Sequence, residues 1–198
     1  GGTVISETFP EGTSDFSAYL QNAAKANADV IFAPSATTYA SLIITQAKSA
    51  GITIPILAGD TWESSVILDA QNGSGLDVYC STFFDENDDA GKAKEFVTGF
   101  KKYLNSDSKN LTNNGGNDIV AAVSALGYDA YMVAVEAIKA ADSTSGEEIQ
   151  KAILALSTEG VTGSISFDEK GDAKKTMAYI KKANDGKFDF VKTQSVSE

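Results

Sequence analysis

The sequence predicts an α/β fold in which a mainly parallel sheet is flanked by helices. Short apolar runs that favour strands alternate with segments in which apolar residues recur at helical spacing. Between Val30 and Trp62 the alternation is continuous: a strand, a small-residue turn, an amphipathic helix and a second strand. At 198 residues and 42% hydrophobic content, the chain can bury one sizeable core or two small ones. Strands that alternate with helices in this way form a parallel sheet.

Four strands are predicted in the first half of the chain: Thr3–Thr8, Val30–Phe32, Ile54–Leu57 and Val78–Thr82. The second and third are apolar runs of the kind expected for strands buried on both faces. Helices are predicted between these strands, over Asp15–Ala26, from the turn at Ser35 to Gly51, and over Ser64–Ala70. Ser14 or Asp15 is placed to cap the first helix. The candidate caps of the central helix are Ser35, Thr37 and Thr38.

The second half of the chain is predicted to be mostly helical. The predicted helices are Ala90–Tyr103, Asp118–Ala141 and Gly146–Leu156, and the polar stretch Asn105–Asn117 is predicted to be a loop. Phe167–Asp172 is interpreted as a hairpin turn between Ile165 and Met177, with Gly171 at a positive-φ position. Helices in succession, with little strand signal before Ile165, need a sheet to pack against.

Charge and residue usage exclude several function classes. The net charge of −11 argues against nucleic acid and anionic membrane surfaces as partners. The longest apolar runs fall far short of the roughly 18 residues that a membrane-spanning helix needs. The chain contains no histidine, which removes serine–histidine triads and most transition-metal sites.

Two further sequence features, Cys80 and the acidic run Asp85–Asp89, are interpreted as structural rather than as catalytic or metal-binding. Cys80 lies in an apolar strand without a neighbouring base, so we interpret it as a buried small hydrophobe rather than a nucleophile. Asp85–Asp89 begins like an EF-hand loop, but Ala90 replaces the turn glycine and Phe96 the bidentate glutamate. We predict no catalytic residue, no metal ligand and no cofactor.

Asp60 is the strongest candidate for contact with a ligand. It follows a predicted parallel strand, and ligands of α/β sheets bind beyond the carboxyl ends of such strands. The first N–H groups of the central helix would face the same mouth. The Asp60 carboxylate then has two possible roles: it pairs with a ligand ammonium, or it caps the helix that starts near Ser64.

The motifs DVIFAPS, LIITQAKSAGI, PILAGDTW, ALGYDAYMVAVEAIKAA and GVTGSISFDEKGD follow one another in this order. With them the chain resembles the leucine/isoleucine/valine type of amino-acid-binding protein of ABC importers, which has the type I periplasmic-binding-protein fold. The resemblance runs from Thr3 to about Val191 and covers the second part of a family member. It implies that an opening lobe and the first β-α unit of the second lobe lie outside this sequence.

The resemblance also implies roles for individual residues. The ligand-binding residues it suggests are Asp60, Thr61, Trp62, Ala36, Thr37 and Phe83. Asp60 would hold the α-amino group of an amino acid, whereas groups of the first lobe would hold its carboxylate. Trp62 would form an apolar wall or only pack in its loop, and Phe83 would line the cleft or pack the hinge. Ala36 and Thr37 stand where the family often has tyrosine, which implies a roomier or more polar pocket.

The same resemblance predicts the domain organisation and the partners. Residues 1–83 and 174–198 would belong to the second lobe, and residues 84–173 to the first. Apolar faces without a partner are then expected on the helices, at Phe96, Phe100, Tyr131, Val135 and Leu154. The expected partners are a small-molecule ligand, namely an amino acid with a branched-chain or similar side chain, an ABC permease in the membrane and the missing lobe. The fragment is expected to self-associate.

Three function classes follow. The first is a solute-binding component of an ABC importer, located in the periplasm or anchored outside a bacterial membrane as a lipoprotein. The second is a ligand-sensing receptor or regulatory module of the same fold, without transport. The third is a small α/β enzyme, which is disfavoured because Asp60 has no paired base, phosphate loop or metal cluster beside it.

Overall fold

The computed structural model describes residues 2–88 and 91–195. Its helices are α1 (Ser17–Lys25), α2 (Thr37–Ser49), α3 (Ser65–Gln71), α4 (Gly91–Leu104), α5 (Ser108–Asn113), α6 (Ala122–Ala141) and α7 (Gly146–Ala155). Its strands are β1 (Ile31–Phe32), β2 (Ile56–Ala58), β3 (Val78–Thr82), β4 (Ser157–Gly160), β5 (Gly163–Ser166), β6 (Met177–Asn184) and β7 (Lys187–Ser195). One turn of 3₁₀ helix, Asp60–Trp62, follows β2 and is called the Asp60 turn.

A five-stranded sheet with the order β1-β2-β3-β6-β7 forms the centre of the fold. β2 runs parallel to both β1 and β3, with Ile56 opposite Ile31 and Val78. β6 and β7 are joined by Asp185 and Gly186, both at positive φ as a type I′ hairpin turn requires. The predicted α/β class, with a sheet flanked by helices, is confirmed.

The chain divides into two compact units. The first unit comprises Gly1–Ser81 and Ile180–Val191, and the second comprises Thr82–Tyr179 and Lys192–Glu198. The chain therefore crosses from one unit to the other three times, near the end of β3, within β6 and within β7.

In the first unit the sheet is covered on one face. Ile56 and Ala58 of β2 and Val78 and Cys80 of β3 are buried. Between them, Leu57 is 39% exposed, and its register partner Phe32 is 68% exposed. The expectation that these strands are buried on both faces is wrong. Apolar runs this short do not distinguish a strand covered twice from one whose second face has no cover.

The predicted strand Thr3–Thr8 is also wrong. Residues 2–10 have no regular structure, and Val4 is 88% exposed. A strand needs a neighbour for its backbone N–H and C=O groups, and no described strand lies beyond β1 at that edge of the sheet. The segment is instead held at Phe9, whose ring lies 5.0 Å from that of Phe16 and 5.1 Å from that of Tyr39.

The helix caps differ from those predicted for α2 and agree in part for α1. The N-cap of α2 is Ala36, which has no side-chain hydrogen bond to give, so Ser35, Thr37 and Thr38 are not its cap. At α1 the Asp15 carboxylate accepts a hydrogen bond of 2.9 Å from the Ser17 N–H, although Phe16 is the N-cap residue. The start of α2 therefore keeps backbone donors that no side chain of the N-cap satisfies.

The second unit is built on α4 and α6 around a buried cluster of Phe84, Ala93, Val120, Ala122, Ala125 and Val161. α6 begins at Ala122 rather than at Asp118, because Glu86 accepts the Val120 N–H and Asn114 donates to the Ile119 carbonyl. The predicted loop 105–117 contains α5, whose N-cap Asp107 accepts from the Lys109 N–H at 2.8 Å. In the described part of the chain, no helix is long and apolar enough to cross a membrane.

Asp89, the last residue of the acidic run that resembles an EF-hand loop, lies outside the described residues. Ala90, at which the predicted helix begins, also lies outside them. α4 is described from Gly91 onward. Asp85 is buried, and its Oδ1 accepts the Asn87 backbone N–H at 2.8 Å and the Asn87 side-chain amide at 3.0 Å. These bonds use the Asp85 carboxylate locally to shape the loop.

A hairpin of β4 and β5 packs on α6 through Asp129, and sequence reasoning missed β4. Asp129 is buried, and its two oxygens accept the Val161 N–H at 2.8 Å, the Thr162 N–H at 2.9 Å and the Thr162 hydroxyl at 2.7 Å. The predicted turn after β5 is confirmed: Gly171 has φ 90°, and Phe167 pairs with Ala173.

We expect Gly160→Ala to destabilise the fold by about 1–3 kcal/mol, because an added methyl group forces a close contact. A Cβ at residue 160 would lie 2.5 Å from both carboxylate oxygens of Asp129. The matched control is Gly127→Ala on α6, where an added Cβ meets nothing within 4 Å. That change should stabilise the helix by about 1 kcal/mol. Urea unfolding measures the free energy of unfolding of both variants. Equal changes in the two variants would contradict the close contact between residue 160 and the Asp129 carboxylate.

Candidate functional site

The candidate site lies in the first unit, at the carboxyl ends of β1 and β2. β1 leads into α2 through the turn at Ser35 and Ala36, and β2 leads into the Asp60 turn. Because β1 and β2 are parallel and adjacent, both connections leave the same edge of the sheet. The sequence prediction of one shared mouth rests on this topology.

Three hydrogen bonds tie the two connections together. The Trp62 indole N–H and the Thr61 hydroxyl both donate to the Ser35 carbonyl, at 2.9 and 3.3 Å. The Thr37 hydroxyl, in the first turn of α2, donates to the Thr61 carbonyl at 2.9 Å. The predicted site residues Thr37, Thr61 and Trp62 therefore lie together and fix the position of the Asp60 turn against the start of α2.

Asp60 begins the turn and is partly exposed. Among the described residues, its carboxylate takes part in no hydrogen bond and no ion pair of the protein. The helix that follows, α3, has Ser64 as its N-cap and no side-chain cap, so Asp60 does not cap it. Of the two roles predicted for this carboxylate, capping is unused, and the acceptor remains available to a ligand.

Trp62 is completely buried, and its indole N–H is satisfied by Ser35. Its ring packs inside the first unit, which is the packing role that sequence reasoning left open for it. Ala36 and Thr61 are exposed, and Thr37 is half-buried. Phe83 follows the last residue of β3, belongs to the second unit and is half-buried.

Sequence reasoning missed an ion pair directly behind the Asp60 turn. The Lys181 ammonium of β6 lies 2.5 Å from Glu63 Oε1, and the two side chains are only 3% and 4% exposed. The available signal was the pair Lys181-Lys182 within a strand. Successive strand residues point to opposite faces, so one of the two lysines must face the covered side of the sheet.

Cys80 is buried, as predicted. The charges of Glu63, Lys181 and Asp60 act on the pKa of its thiol. Burial raises the pKa of the Cys80 thiol to about 12, with further raising by Glu63 and Asp60 and an opposing effect from Lys181. The thiol is therefore protonated near neutral pH and is a poor nucleophile.

We expect this thiol to reduce the stability of the fold between about pH 9 and pH 12. The unfolded thiol ionises near pH 9.0, whereas the folded thiol stays protonated to about pH 12. The unfolded state then binds fewer protons, so the free energy of unfolding falls by about 1.4 kcal/mol per pH unit as the pH rises. Below this window the full contribution is present. Urea unfolding of the wild type and of Cys80→Ala across the window measures the difference, and identical slopes would contradict it.

The chain matches one family model and is similar to several solved structures. A family model described as "Periplasmic binding protein" matches residues 1–187. The solved structure of the leucine-binding protein LivK from Thermotoga maritima is 30% identical with a TM-score of 0.79, over 94% of this chain and 50% of that one. LivJ from Streptococcus pneumoniae, solved with isoleucine, is 25% identical with a TM-score of 0.73, over 95% of this chain and 50% of that one.

A solute-binding protein from R. palustris, solved with benzoate, is 16% identical with a TM-score of 0.74 and shares the fold. It is covered over 50% of its length by 96% of this chain. No curated protein sequence matches the chain. The chain thus spans about half the length of the solved structures that it resembles.

Proposed function

Because the chain belongs to the periplasmic binding protein family, we propose that it is part of an extracytoplasmic solute-binding component of an ABC importer. The family and its structural neighbours are solute-binding proteins and not enzymes. The proposed solute is an amino acid with an apolar side chain, bound between two hinged lobes. The neighbours solved as a leucine-binding protein and with isoleucine support this class of ligand.

The carboxylate of Asp60 is the observation that carries the proposal. It stands at the carboxyl end of β2, is accessible, and is neither paired nor used as a helix cap by the described residues. An α-amino group is a cation with three N–H donors, and such a carboxylate is its natural partner. We assign Asp60 the ammonium of the ligand.

The other predicted site residues have different roles in this proposal. Ala36, Thr37 and Thr61 line the mouth beside Asp60, and the unsatisfied N–H groups at the start of α2 add donors. Trp62 positions the turn from within the first unit. Phe83 is proposed to contact the ligand. Groups outside this chain would hold the ligand carboxylate.

In the proposed assembly, residues 1–83 and 174–198 belong to the second lobe and residues 84–173 to the first lobe. An ABC permease in the membrane would receive the ligand, and a lipid anchor on a bacterial lipoprotein would keep the protein outside the cytoplasm. The family supports an extracytoplasmic location.

Titration calorimetry on a two-lobed protein that contains this chain tests the proposed function. Leucine, isoleucine and valine should bind, whereas 4-methylpentanoate, which is leucine without its ammonium, should bind far more weakly. Removing a charged partner from a desolvated pair commonly costs about 2–5 kcal/mol. Equal binding of leucine and 4-methylpentanoate would contradict an ammonium-binding site.

We expect these 198 residues alone to bind free amino acids weakly or not at all. One half of a hinged cleft does not exclude water, so water competes with the ligand for Asp60. We also expect the chain to self-associate. Phe32 in the first unit and Tyr131 in the second, 68% and 67% exposed, are large apolar residues on open surfaces.

The second unit has a further apolar opening, a cavity of about 500 Å³ lined by Phe96, Phe100, Tyr128 and Met132 of α4 and α6, among others. Sedimentation velocity combined with ligand titration checks both halves of this prediction. A strictly monomeric chain that binds an amino acid with micromolar affinity would contradict both.

A further inference from the structure

We propose that the buried ion pair of Glu63 and Lys181 is a positioning device that holds the Asp60 turn in its ligand-binding orientation. The inference rests on the proposed function of Asp60. It gives a role to Glu63 and Lys181, two residues that are not proposed to contact the ligand.

The pair fastens the downstream end of the turn to the sheet. Glu63 is the residue that follows the turn, and its N–H donates to the Asp60 carbonyl at 2.9 Å. Its carboxylate meets Lys181 at 2.5 Å, although the two residues are 118 positions apart in the chain. A shift of Glu63 would therefore move the backbone of Asp60 directly.

The start of α2 fastens the rest of the turn. Trp62 and Thr61 donate to the Ser35 carbonyl, which lies before α2. The turn is thus held between two anchors, and the anchor to β6 is ionic. An ion pair with a hydrogen bond fixes distance and direction, whereas apolar burial is non-directional.

Stability alone gives a weak reason for this pair. Replacing a buried ion pair by apolar residues of similar volume is often neutral or stabilising, because both charges lose their hydration when they are buried. The role that remains is conformational specificity, and the position of the pair beside Asp60 says which conformation it specifies.

The only tryptophan of the chain reports on the turn without any ligand. Trp62 lies between Asp60 and Glu63 and is fully buried, so its fluorescence emission shifts to the red when the turn loosens. We expect this red shift in Lys181→Met and in Glu63→Gln. Lys182→Met is the matched control, because Lys182 is the next residue of β6 and its pair with Asp77, at 2.7 Å, is partly exposed. It should leave the emission unchanged.

The double variant Glu63→Leu/Lys181→Met separates positioning from stabilisation and remains testable if a single variant does not fold. We expect it to regain the wild-type unfolding midpoint while its emission stays red-shifted. In the two-lobed protein its affinity for leucine should stay roughly tenfold below the wild-type value. Recovery of the native emission and of full affinity would overturn the proposal. Should Asp60→Asn bind leucine normally while the red shift occurs as expected, the ligand role of Asp60 fails and the positioning of the turn stands.

Discussion

In a two-lobed protein that contains this chain, Asp60→Asn is expected to weaken amino-acid binding by about 2–5 kcal/mol, or roughly 30-fold to several thousand-fold. The substitution keeps the shape of the side chain and removes its charge, so a desolvated ammonium loses its ionic partner. Titration calorimetry with leucine measures the change in affinity.

The same substitution should leave the fold intact, with a change in unfolding free energy within about 0.5 kcal/mol. The described residues give the Asp60 carboxylate no bond that the substitution would break. Asp69→Asn, on the exposed side of α3, is the matched control and should alter neither affinity nor stability. An Asp60 variant with the affinity of the wild type would remove this residue from the site.

The largest expected effect on stability is that of Lys181→Met. Removing one member of a buried ion pair leaves the other charge uncompensated, which costs about 3–5 kcal/mol. Glu63, whose side chain is 4% exposed, is then left without its ammonium. Guanidinium unfolding of the 198-residue chain measures the loss.

Lys182→Met supplies the comparison on the same strand. Its pair with Asp77 has side chains 35% and 49% exposed, and such pairs contribute about 0–1 kcal/mol. The two neighbouring lysines should therefore differ several-fold in their effect on the unfolding free energy. Equal effects would contradict the view that burial, rather than the ion pair itself, sets the cost.

The central β-α-β unit could be predicted because its signals are local. Apolar runs of strand length flank a segment with helical periodicity, and each pattern is complete within a few residues. The position of Asp60 at the end of β2 follows from that order alone. The absence of a capping role for Asp60 could not be predicted in this way, because it depends on where α3 begins and on which N–H groups face the carboxylate.

The elements that sequence reasoning missed depend on partners far away in the chain. Thr3–Thr8 has the composition of a strand but no described neighbour to pair with. β4, with the polar sequence Ser157–Gly160, has no apolar alternation and is held by its pairing with β5 beside the carboxylate of Asp129. The Glu63–Lys181 pair joins residues 118 positions apart. The adjacent lysines of β6 indicate that one of them faces the covered side of the sheet, but not which carboxylate it meets.

A crystal structure of the two-lobed protein with bound leucine tests the central claim most directly. The decisive quantity is the distance from the ligand nitrogen to the nearer carboxylate oxygen of Asp60. We expect about 2.7–2.9 Å, the usual length of a hydrogen bond between an ammonium and a carboxylate. A nitrogen held by another carboxylate, with Asp60 outside hydrogen-bonding distance, would contradict the account.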